Sequence, residues 1–512
     1  MHVDVRCLCI IAMSILPIFI PAQEWVTRYN GPGNGWDIAY GLAVDAVGNV
    51  YVTGVSDGGT TGEDYATIKY DALGMEQWVA RYNGPGNLMD WAEAITLDNG
   101  VNVCVTGEIM DSAWNFDYGT VKYDSLGVMQ WSARYNGLGN FDDVADAIAI
   151  DAVGNVYVTG YSYGSGTGFD YATLKYNSAG VEQWVARYNG PGNDDDRAVA
   201  ITIDDAHSIY VTGRSRGSGT DYDYATVKYD SSGIQQWVAR FNGAANDSDQ
   251  AYAFVVDSNH NVYVTGRSFG SGTGCDYATV KYDSSGVEEW VVRYDGPGND
   301  DDRAYAIATD NTGSLYVTGR SYSTDYDYAT IKYDLSGVEQ WVVRYDGPGN
   351  DNDRAYGVAV DLAGNVCVTG SSRGSGTDYD YATIKYDSSG AEQWVLRYNG
   401  PGNGRDYALK IVVDDANYIY VTGYSDGVGT DYDYATLKYS PLGVEEQQTV
   451  VSAKDYYDCL TTVFYGPIQL PEGKKCKVFD IAGRVVEPAN ITRGIYFIEV
   501  DGVVTQKVVK VR

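Results

Sequence analysis

Three runs of acidic residues, each followed by an arginine, are the residues of this chain best suited to chemistry. They are Asp194-Asp195-Asp196-Arg197, Asp300-Asp301-Asp302-Arg303 and Asp351-Asn352-Asp353-Arg354. Clustered carboxylates with asparagine and backbone carbonyls are ligands for hard cations, so we predict a Ca²⁺ site built from the aspartates of these runs. The spacing of an EF-hand loop is absent, and solvated loop charge is the alternative.

Aromatic side chains occupy the corresponding polar loops near the start of the chain. They are Trp36, Trp91, Trp114, Phe141 and Phe169. Exposed aromatic rings stack on sugars or on partner proteins. We therefore predict a ligand-binding set of these five residues with Arg197, Arg303 and Arg354. The alternative is that the rings only cover the underlying strands.

Catalytic chemistry has little support in the sequence. The three histidines are His2, His207 and His260, and the last two fall in short turns, which disfavours a Ser-His-Asp or His-metal site. Paired carboxylates for sugar cleavage stay open, because a face this rich in Asp presents two within about 5 to 10 Å by chance. We predict no catalytic residue. A binding or display module for a glycan or protein partner is the main hypothesis, and a polysaccharide-active hydrolase or lyase is the alternative.

The elements that position these residues come from one repeated unit. A tryptophan begins each of eight copies, at positions 25, 78, 131, 184, 237, 290, 341 and 394. Within a copy, short segments rich in Val, Ile, Thr and Tyr are bounded by Gly, Asn, Asp and Ser, which is typical of strands and turns. Four strands per copy and a period near 50 residues predict an all-β fold, an eight-bladed β-propeller of four-stranded antiparallel blades.

The lengths of the links predict the blade order. Tight turns such as Asp230 to Gly233 join strands within a blade, whereas the long link from Asn189 to Arg197 is the crossover between blades. Each blade then runs from axis to rim as apolar strand, V-T-G strand, D-Y-A-T strand and Trp strand. The strand around Trp25 has no blade before it, and the last blade lacks a Trp strand. We predict that the N-terminal strand closes the ring there.

Four polar positions recur in every copy. An Asn and, three residues later, an Asp lie in each crossover loop, as Asn193 and Asp196 do; a second Asp precedes each D-Y-A-T strand, and an Arg follows each Trp by three residues. Identical use in eight blades indicates a structural device. We expect the Asn to cap a turn and the strand Asp to pair with the Arg. One shared cation site per blade is the alternative.

Charge and the N-terminal segment bear on location and partners. Residues 1–22 have the form of a signal peptide, with Arg6 before an apolar run. Residues 23–450 carry 26 Lys and Arg against 61 Asp and Glu. This acidity disfavours nucleic acid and anionic membranes as partners. We predict an exported protein that is not integral to a membrane and is a monomer.

The last residues differ from the repeats. Residues 448–454 are a predicted linker, and residues 455–512 alternate like the strands of a small C-terminal β-sandwich. Cys459 and Cys476 stand in this tail, and the sequence leaves open whether they pair. The order V-F-D-I-A-G-R-V-V, G-I-Y-F-I and terminal K-V-V-K-V resembles the C-terminal sorting domain of type IX secretion substrates. That resemblance implies a bacterial protein handled by type IX-like machinery and then secreted or attached to the outer membrane at the cell surface.

The repeats also resemble a known family. D-x-x-G-N-x-Y-V-T-G followed by D-Y-A-T-x-K-Y is similar to the bacterial β-propeller repeats called SBBP, over most of the predicted propeller of residues 23–447. The resemblance implies the fold and no common chemistry.

Overall fold

The computed structural model describes residues 19–445 and, in the tail, residues 462–464, 476–480, 485–487, 494–500 and 503–510. The chain divides into two compact units, one of them spanning Ile18–Glu445. Most of the predicted signal peptide, the predicted linker 448–454 and Cys459 lie outside the described residues. No helix in the described part of the chain is long and apolar enough to cross a membrane.

The first unit consists of eight four-stranded antiparallel sheets arranged as a propeller. The N-terminal strand is β1 (Phe19–Tyr29). Blade one has β2 (Asp37–Val44), β3 (Val50–Asp57), β4 (Glu63–Tyr70) and β5 (Glu76–Tyr82), and blade two has β6 (Asp90–Leu97), β7 (Val103–Met110), β8 (Phe116–Tyr123) and β9 (Met129–Tyr135). Blade three has β10 (Asp143–Ile150), β11 (Val156–Gly164), β12 (Gly168–Tyr176) and β13 (Glu182–Tyr188), and blade four has β14 (Asp196–Ile203), β15 (Ile209–Arg216), β16 (Tyr222–Tyr229) and β17 (Gln235–Phe241).

The remaining blades repeat the pattern. Blade five has β18 (Gln250–Val256), β19 (Val262–Phe269), β20 (Cys275–Tyr282) and β21 (Glu288–Tyr294), and blade six has β22 (Arg303–Thr309), β23 (Leu315–Tyr322), β24 (Tyr326–Tyr333) and β25 (Glu339–Tyr345). Blade seven has β26 (Asp353–Val360), β27 (Val366–Arg373), β28 (Tyr379–Tyr386) and β29 (Glu392–Tyr398), and blade eight has β30 (Asp406–Val413), β31 (Ile419–Asp426) and β32 (Tyr432–Glu445). The predicted order of strands within a blade is confirmed, since the sheets read β2-β3-β4-β5 and so on around the ring.

The ring closes as predicted. Strand β1 pairs antiparallel with β32 in blade eight, where Trp25 lies opposite Lys438 and Tyr29 opposite Tyr434. The register is irregular before Trp25 and regular from Trp25 to Tyr29. The first and last strands of the propeller therefore complete one sheet.

The D-Y-A-T tyrosines join each blade to the next. Tyr65 is fully buried, and its hydroxyl donates a hydrogen bond to the carbonyl of Gly119 in blade two. Each other blade makes the equivalent bond, and Tyr434 of blade eight donates to Ala66 of blade one. A buried phenol needs such a partner. The repeated motif thus encodes the contact between blades as well as the strand.

The turns fix which loops share a face. Turns such as Asp45–Asn49 and Asp71–Met75, with Gly48 and Gly74 at positive φ, lie on one face of the ring, here called the bottom face. Because the strands are antiparallel, the crossover loops and the loops between the second and third strands lie together on the opposite, top face. The predicted functional loops therefore do share one face.

The described strands of the tail are β33 (Thr462–Phe464), β34 (Cys476–Asp480), β35 (Val485–Val486), β36 (Gly494–Val500) and β37 (Val503–Lys510). They form a single five-stranded sheet in the order β33-β37-β36-β34-β35, with β33 parallel to β37. The sequence predicted a sandwich; the described tail residues form one sheet, in which all five strands pair edge to edge, and a second sheet stays a prediction.

A candidate binding site at the mouth of the central channel

The recurrent Arg and strand Asp pair in all eight blades, as predicted. In blade three Arg187 lies 3.0 Å from Asp170, and the seven pairs other than Arg134–Asp117 span 2.6 to 3.0 Å. The same guanidinium donates to the Ser162 carbonyl and hydroxyl on the neighbouring strand. This network links three strands of a blade, so these residues are structural.

The crossover Asn and Asp also have structural roles. Asn193 and its seven counterparts adopt positive φ between 43° and 60°, a conformation that Asn tolerates better than most residues. The Asp is fully buried, and in blade one Asp37 accepts from the backbone N–H groups of Gly31 and Asp57 at 2.7 and 3.1 Å. Burial raises the pKa of Asp37 to about 6. The backbone conformation, more than a side-chain cap, explains the Asn.

The predicted metal residues divide into two kinds. Asp196, Asp302 and Asp353 are the buried crossover aspartates of blades four, six and seven, and each accepts two backbone N–H bonds. Asp195 accepts from the Phe169 N–H, and Asp301 binds Arg303 at 2.9 Å. Asp194 and Asp300 are exposed, and Asp351 accepts from the following Asn352. The cation assignment stays a prediction.

Two clusters of three aspartates in the described chain have the geometry to hold a metal ion. Asp302 lies with Asp276 and Asp295, and Asp353 with Asp327 and Asp346; within each group one ligand atom per residue lies within 4.8 Å of the others. A third group on the bottom face joins Asp204, Asp205 and His260. In the first two groups an Arg already neutralises one member, Asp276 or Asp327.

The predicted aromatic residues lie on the top face but differ in exposure. Trp36, Trp114 and Phe141 are 54%, 67% and 55% exposed. Trp91 is half-buried and donates through Nε1 to Glu63, and Phe169 is half-buried against Tyr161 and beneath the Arg197 guanidinium, 4.9 Å from the ring centre. The structure therefore brings Phe169 and Arg197 together, and leaves the three exposed rings available to a partner.

Six arginines from blades four to seven gather at the top mouth of the central channel. We call Arg197, Arg214, Arg267, Arg303, Arg320 and Arg354 the arginine arc. They occupy two repeat positions that face one another across the two inner strands, as Arg197 faces Arg214 and Arg303 faces Arg320. Three of them were predicted from the acidic runs, and Arg214, Arg267 and Arg320 were missed.

The arc is unlike the structural arginines in its partners. Arg197 and Arg303 approach Asp195 and Asp301, at 4.0 and 2.9 Å. The other four have no salt bridge to any carboxylate in the described part of the chain. All six Nε atoms are buried, and none has a hydrogen-bond partner among the described residues. Buried donors are ordinarily satisfied, so these six mark a site with unused binding capacity.

Blades two and three place three carboxyl groups near the channel; Glu93 and Asp146 line it, and Asp146 also lines a side cleft together with Arg197 and Arg214. We call Glu93, Glu108 and Asp146 the acid cluster. Burial raises the pKa of Glu93 to about 7 and that of Glu108 to about 8, and Glu93 adds to the rise at Glu108. Burial also raises the pKa of Asp146 well above its ordinary value, with Glu93 and Glu108 acting in the same direction. These groups therefore hold protons near neutral pH and can donate hydrogen bonds.

A row of tyrosines connects blades five to eight around the channel. Rings of Tyr252, Tyr305, Tyr356 and Tyr407 follow one another with centres 5.6, 5.7 and 6.5 Å apart, and Tyr424 stacks on Tyr407 at 5.1 Å. We call these five residues the tyrosine belt. Tyr252 lies within electrostatic range of Arg214, Arg267 and Arg303, so the belt and the arc are adjacent.

The channel and its side cleft provide the space for a ligand. The channel has a volume of about 420 Å³ and is lined by the innermost strand of every blade. Arg197, Arg214, Asp146 and Tyr252 help to line a cleft of about 230 Å³ beside it. A larger cavity of about 740 Å³ lies on the bottom face at the seam of blades eight and one, but its aspartates cap turns and its Lys438 is paired with Glu24.

The sequence did contain a signal for the missed residues. The position after V-T-G reads Val55, Glu108, Tyr161, Arg214, Arg267, Arg320, Ser371 and Tyr424 through the eight copies. Neighbouring repeat positions scarcely vary. A position that changes charge in an otherwise uniform repeat is where one ligand site breaks the symmetry, and Glu93, Asp146 and Lys410 break the inner strand in the same way.

The ring of eight repeated blades defines the protein as a β-propeller. The SBBP β-propeller repeat matches residues 24–59 and 236–271, which supports the propeller-repeat part of the resemblance. Regulatory protein FlaEY of Caulobacter vibrioides is 30% identical over 169 residues, covering 29% of this chain and 17% of that protein. The chain therefore matches well under two thirds of that relative.

The chain is also similar to several solved structures. Periplasmic gluconolactonase PpgL of Pseudomonas aeruginosa has 13% identity and a TM-score of 0.44, covering 72% of this chain and 98% of that chain. Drosophila Plexin A in complex with Semaphorin 1b has 10% identity and a TM-score of 0.42, covering 83% of this chain and 88% of that chain.

Proposed function

We propose that this protein is an exported or cell-surface binding module whose propeller holds a glycan or protein partner at the top face. The observation that carries the proposal is the broken symmetry of the channel mouth. Elsewhere the recurrent Arg and strand Asp form a salt bridge in every blade, whereas four arginines of the arc have no carboxylate within salt-bridge distance in the described chain. Ligand sites use such convergent polar groups in a concave surface.

Export is the second element of the proposal. The N-terminal segment has the composition of a signal peptide, and the tail motifs resemble a type IX sorting domain. A propeller delivered in this way would present its top face outside the cell. The acidity of the chain, with a formal net charge of −33, favours basic or cationic partners over most of the surface.

A glycan array, read with and without Ca²⁺, tests the proposal. We expect binding that falls when Trp36, Trp114 and Phe141 are replaced together by Ala, because exposed rings supply stacking area. The matched control replaces Leu73, Leu126 and Val153, which are exposed on the bottom face, by Ala. Equal binding by both triple variants would contradict a top-face site, and absence of any glycan or protein ligand would contradict a binding module.

The acid cluster favours one alternative function, a polysaccharide-active hydrolase or lyase. A general acid must be protonated near neutral pH, and a pKa of about 8 for Glu108 meets that requirement. The matching base would be a carboxylate ionised nearby. Release of new chain ends from polysaccharides that bind, lost in both Glu93→Gln and Glu108→Gln, would support this alternative; binding without turnover would contradict it.

A further inference from the structure

The arginine arc is a cluster of positive charge in a chain that is otherwise strongly acidic. The chain has 69 Asp and Glu against 36 Lys and Arg, yet Arg214, Arg267, Arg320 and Arg354 have no carboxylate partner among the described residues. Guanidinium groups stay charged at all ordinary pH values, so neighbouring ones repel. An anion placed between them removes that repulsion.

The orientation of the arc indicates which anions fit. The Nε–H and one Nη–H form the edge of a guanidinium that binds a carboxylate through two parallel hydrogen bonds. The guanidinium carbons of Arg267 and Arg320 lie over Phe269 and Tyr326, at 5.9 and 4.1 Å from the ring centres, and Arg267 also contacts Cys275 Sγ through Nη1. Stacking of this kind fixes the plane of the guanidinium before a ligand arrives.

The tyrosine belt adds a second requirement. Its first four ring centres are spaced 5.6 to 6.5 Å apart, comparable with the length of one sugar residue along a glycan chain. Aromatic faces bind the apolar faces of sugar rings, and the protonated acid cluster near the channel can donate to hydroxyl groups. The ligand thus needs anionic groups on one edge and stackable, hydroxylated rings.

Resting on the proposed function, we propose that the channel mouth binds an acidic oligosaccharide whose carboxylates engage the arginine arc and whose rings lie on the tyrosine belt. The surrounding acidity disfavours long polyanions such as nucleic acids, because their flanking phosphates would meet like charge. A short carboxylated segment avoids that repulsion. The specificity is therefore for uronic-acid-type sugars rather than for any anion.

Calorimetric titration of the full chain with three probes tests this inference. The probes are an oligogalacturonate, its fully methyl-esterified form and inorganic phosphate. We expect binding of the oligogalacturonate only, weakened by added NaCl because the contacts are ionic. Equal binding of the methyl ester would overturn the role of the carboxylates, and full displacement of the oligogalacturonate by phosphate would assign the arc to small anions instead.

Variants locate the site. Arg267→Gln should reduce oligogalacturonate affinity by about tenfold or more, since a hydrogen bond to a charged group contributes that much. Arg267→Lys keeps the net charge but cannot donate two parallel hydrogen bonds to one carboxylate. We therefore expect a smaller loss of oligogalacturonate affinity than in Arg267→Gln. The control Arg405→Gln removes a charge from the same face, where Arg405 is 58% exposed and lies outside the arc.

The outcomes separate the two proposals. If Arg267→Gln binds as the parent does, or if no acidic oligosaccharide binds, this inference is wrong. Binding of a neutral glycan that is lost in the Trp36, Trp114 and Phe141 variant would then leave the proposed function standing. Loss of affinity equally in Arg267→Gln and Arg405→Gln would reduce the effect to general charge and would also overturn the inference.

Discussion

Glu108 allows the electrostatics of the channel mouth to be measured directly. Its side chain is 7% exposed, opposite Trp91 on the neighbouring strand, and burial raises its pKa from 4.5 to about 8. At a pH between 4.5 and about 8, Glu108 therefore keeps its proton in the folded state and loses it in the unfolded chain. Stability must fall as pH rises through this window, and no penalty exists below it. The Glu108→Gln variant, which resembles the protonated acid, escapes the fall.

The magnitude follows from the pKa. Each pKa unit corresponds to about 1.4 kcal/mol, so complete ionisation of Glu108, which is reached only above pH 8, would cost up to about 5 kcal/mol. Water in the channel and the coupled titration of Glu93 reduce this figure. We compare the free energy of unfolding of Glu108→Gln with that of the parent at each pH. We expect this difference to favour the variant by about 2 kcal/mol more at pH 8 than at pH 5.

Urea denaturation followed by tryptophan fluorescence at the two pH values provides the measurement. Comparing the difference between variant and parent at pH 8 with that at pH 5 cancels any effect of the amide that is independent of pH. The control Glu182→Gln removes the same charge from an exposed position on an outer strand. A Glu108→Gln effect of equal size at both pH values would refute the reasoning.

Four other outcomes are expected. Deleting residues 23–30 should lower the melting temperature of the whole ring, because β1 completes blade eight; an unchanged temperature would count against the closure. Asp170→Ala should cost about 3 kcal/mol because it leaves Arg187 unpaired, and a cost typical of surface pairs, about 1 kcal/mol or less, would contradict this. Removing residues 455–512 should leave a folded propeller in the periplasm, and normal secretion of the truncated protein would refute the sorting role. Millimolar Ca²⁺ should raise the melting temperature more than NaCl of equal ionic strength, and Asp194→Asn combined with Asp300→Asn should blunt the effect; identical responses to both salts would indicate only solvated charge.

The sequence predicted the ring because the repeat carries its own geometry. Tight turns, strand composition and one orphan strand at Trp25 determined blade number, strand order and closure. The residues of the candidate site were predicted only in part. Arg303 was found because it follows an acidic run in a loop, whereas Arg320, directly opposite it, stands inside a strand that was interpreted as uniform.

The remainder depends on neighbours that no local pattern specifies. Glu93 and Asp146 belong to different blades and approach one another only because the ring curves around the channel. Their carboxyl groups interrupt strands that are otherwise apolar. A prediction of strands from the pattern of apolar residues gives no meaning to one such interruption. A charged residue at an inward position in only two of the eight copies indicates the channel, and it is visible once the copies are aligned.

The shared sheet of the first and last strands also imposes an order on assembly. Blades one to seven each form from neighbouring strands, as soon as about 50 residues are available. Blade eight must wait for β32 to meet β1, which has been present since the start. The chain therefore stays an open arc until its last strand pairs with β1, and that pairing is the single event that completes the ring.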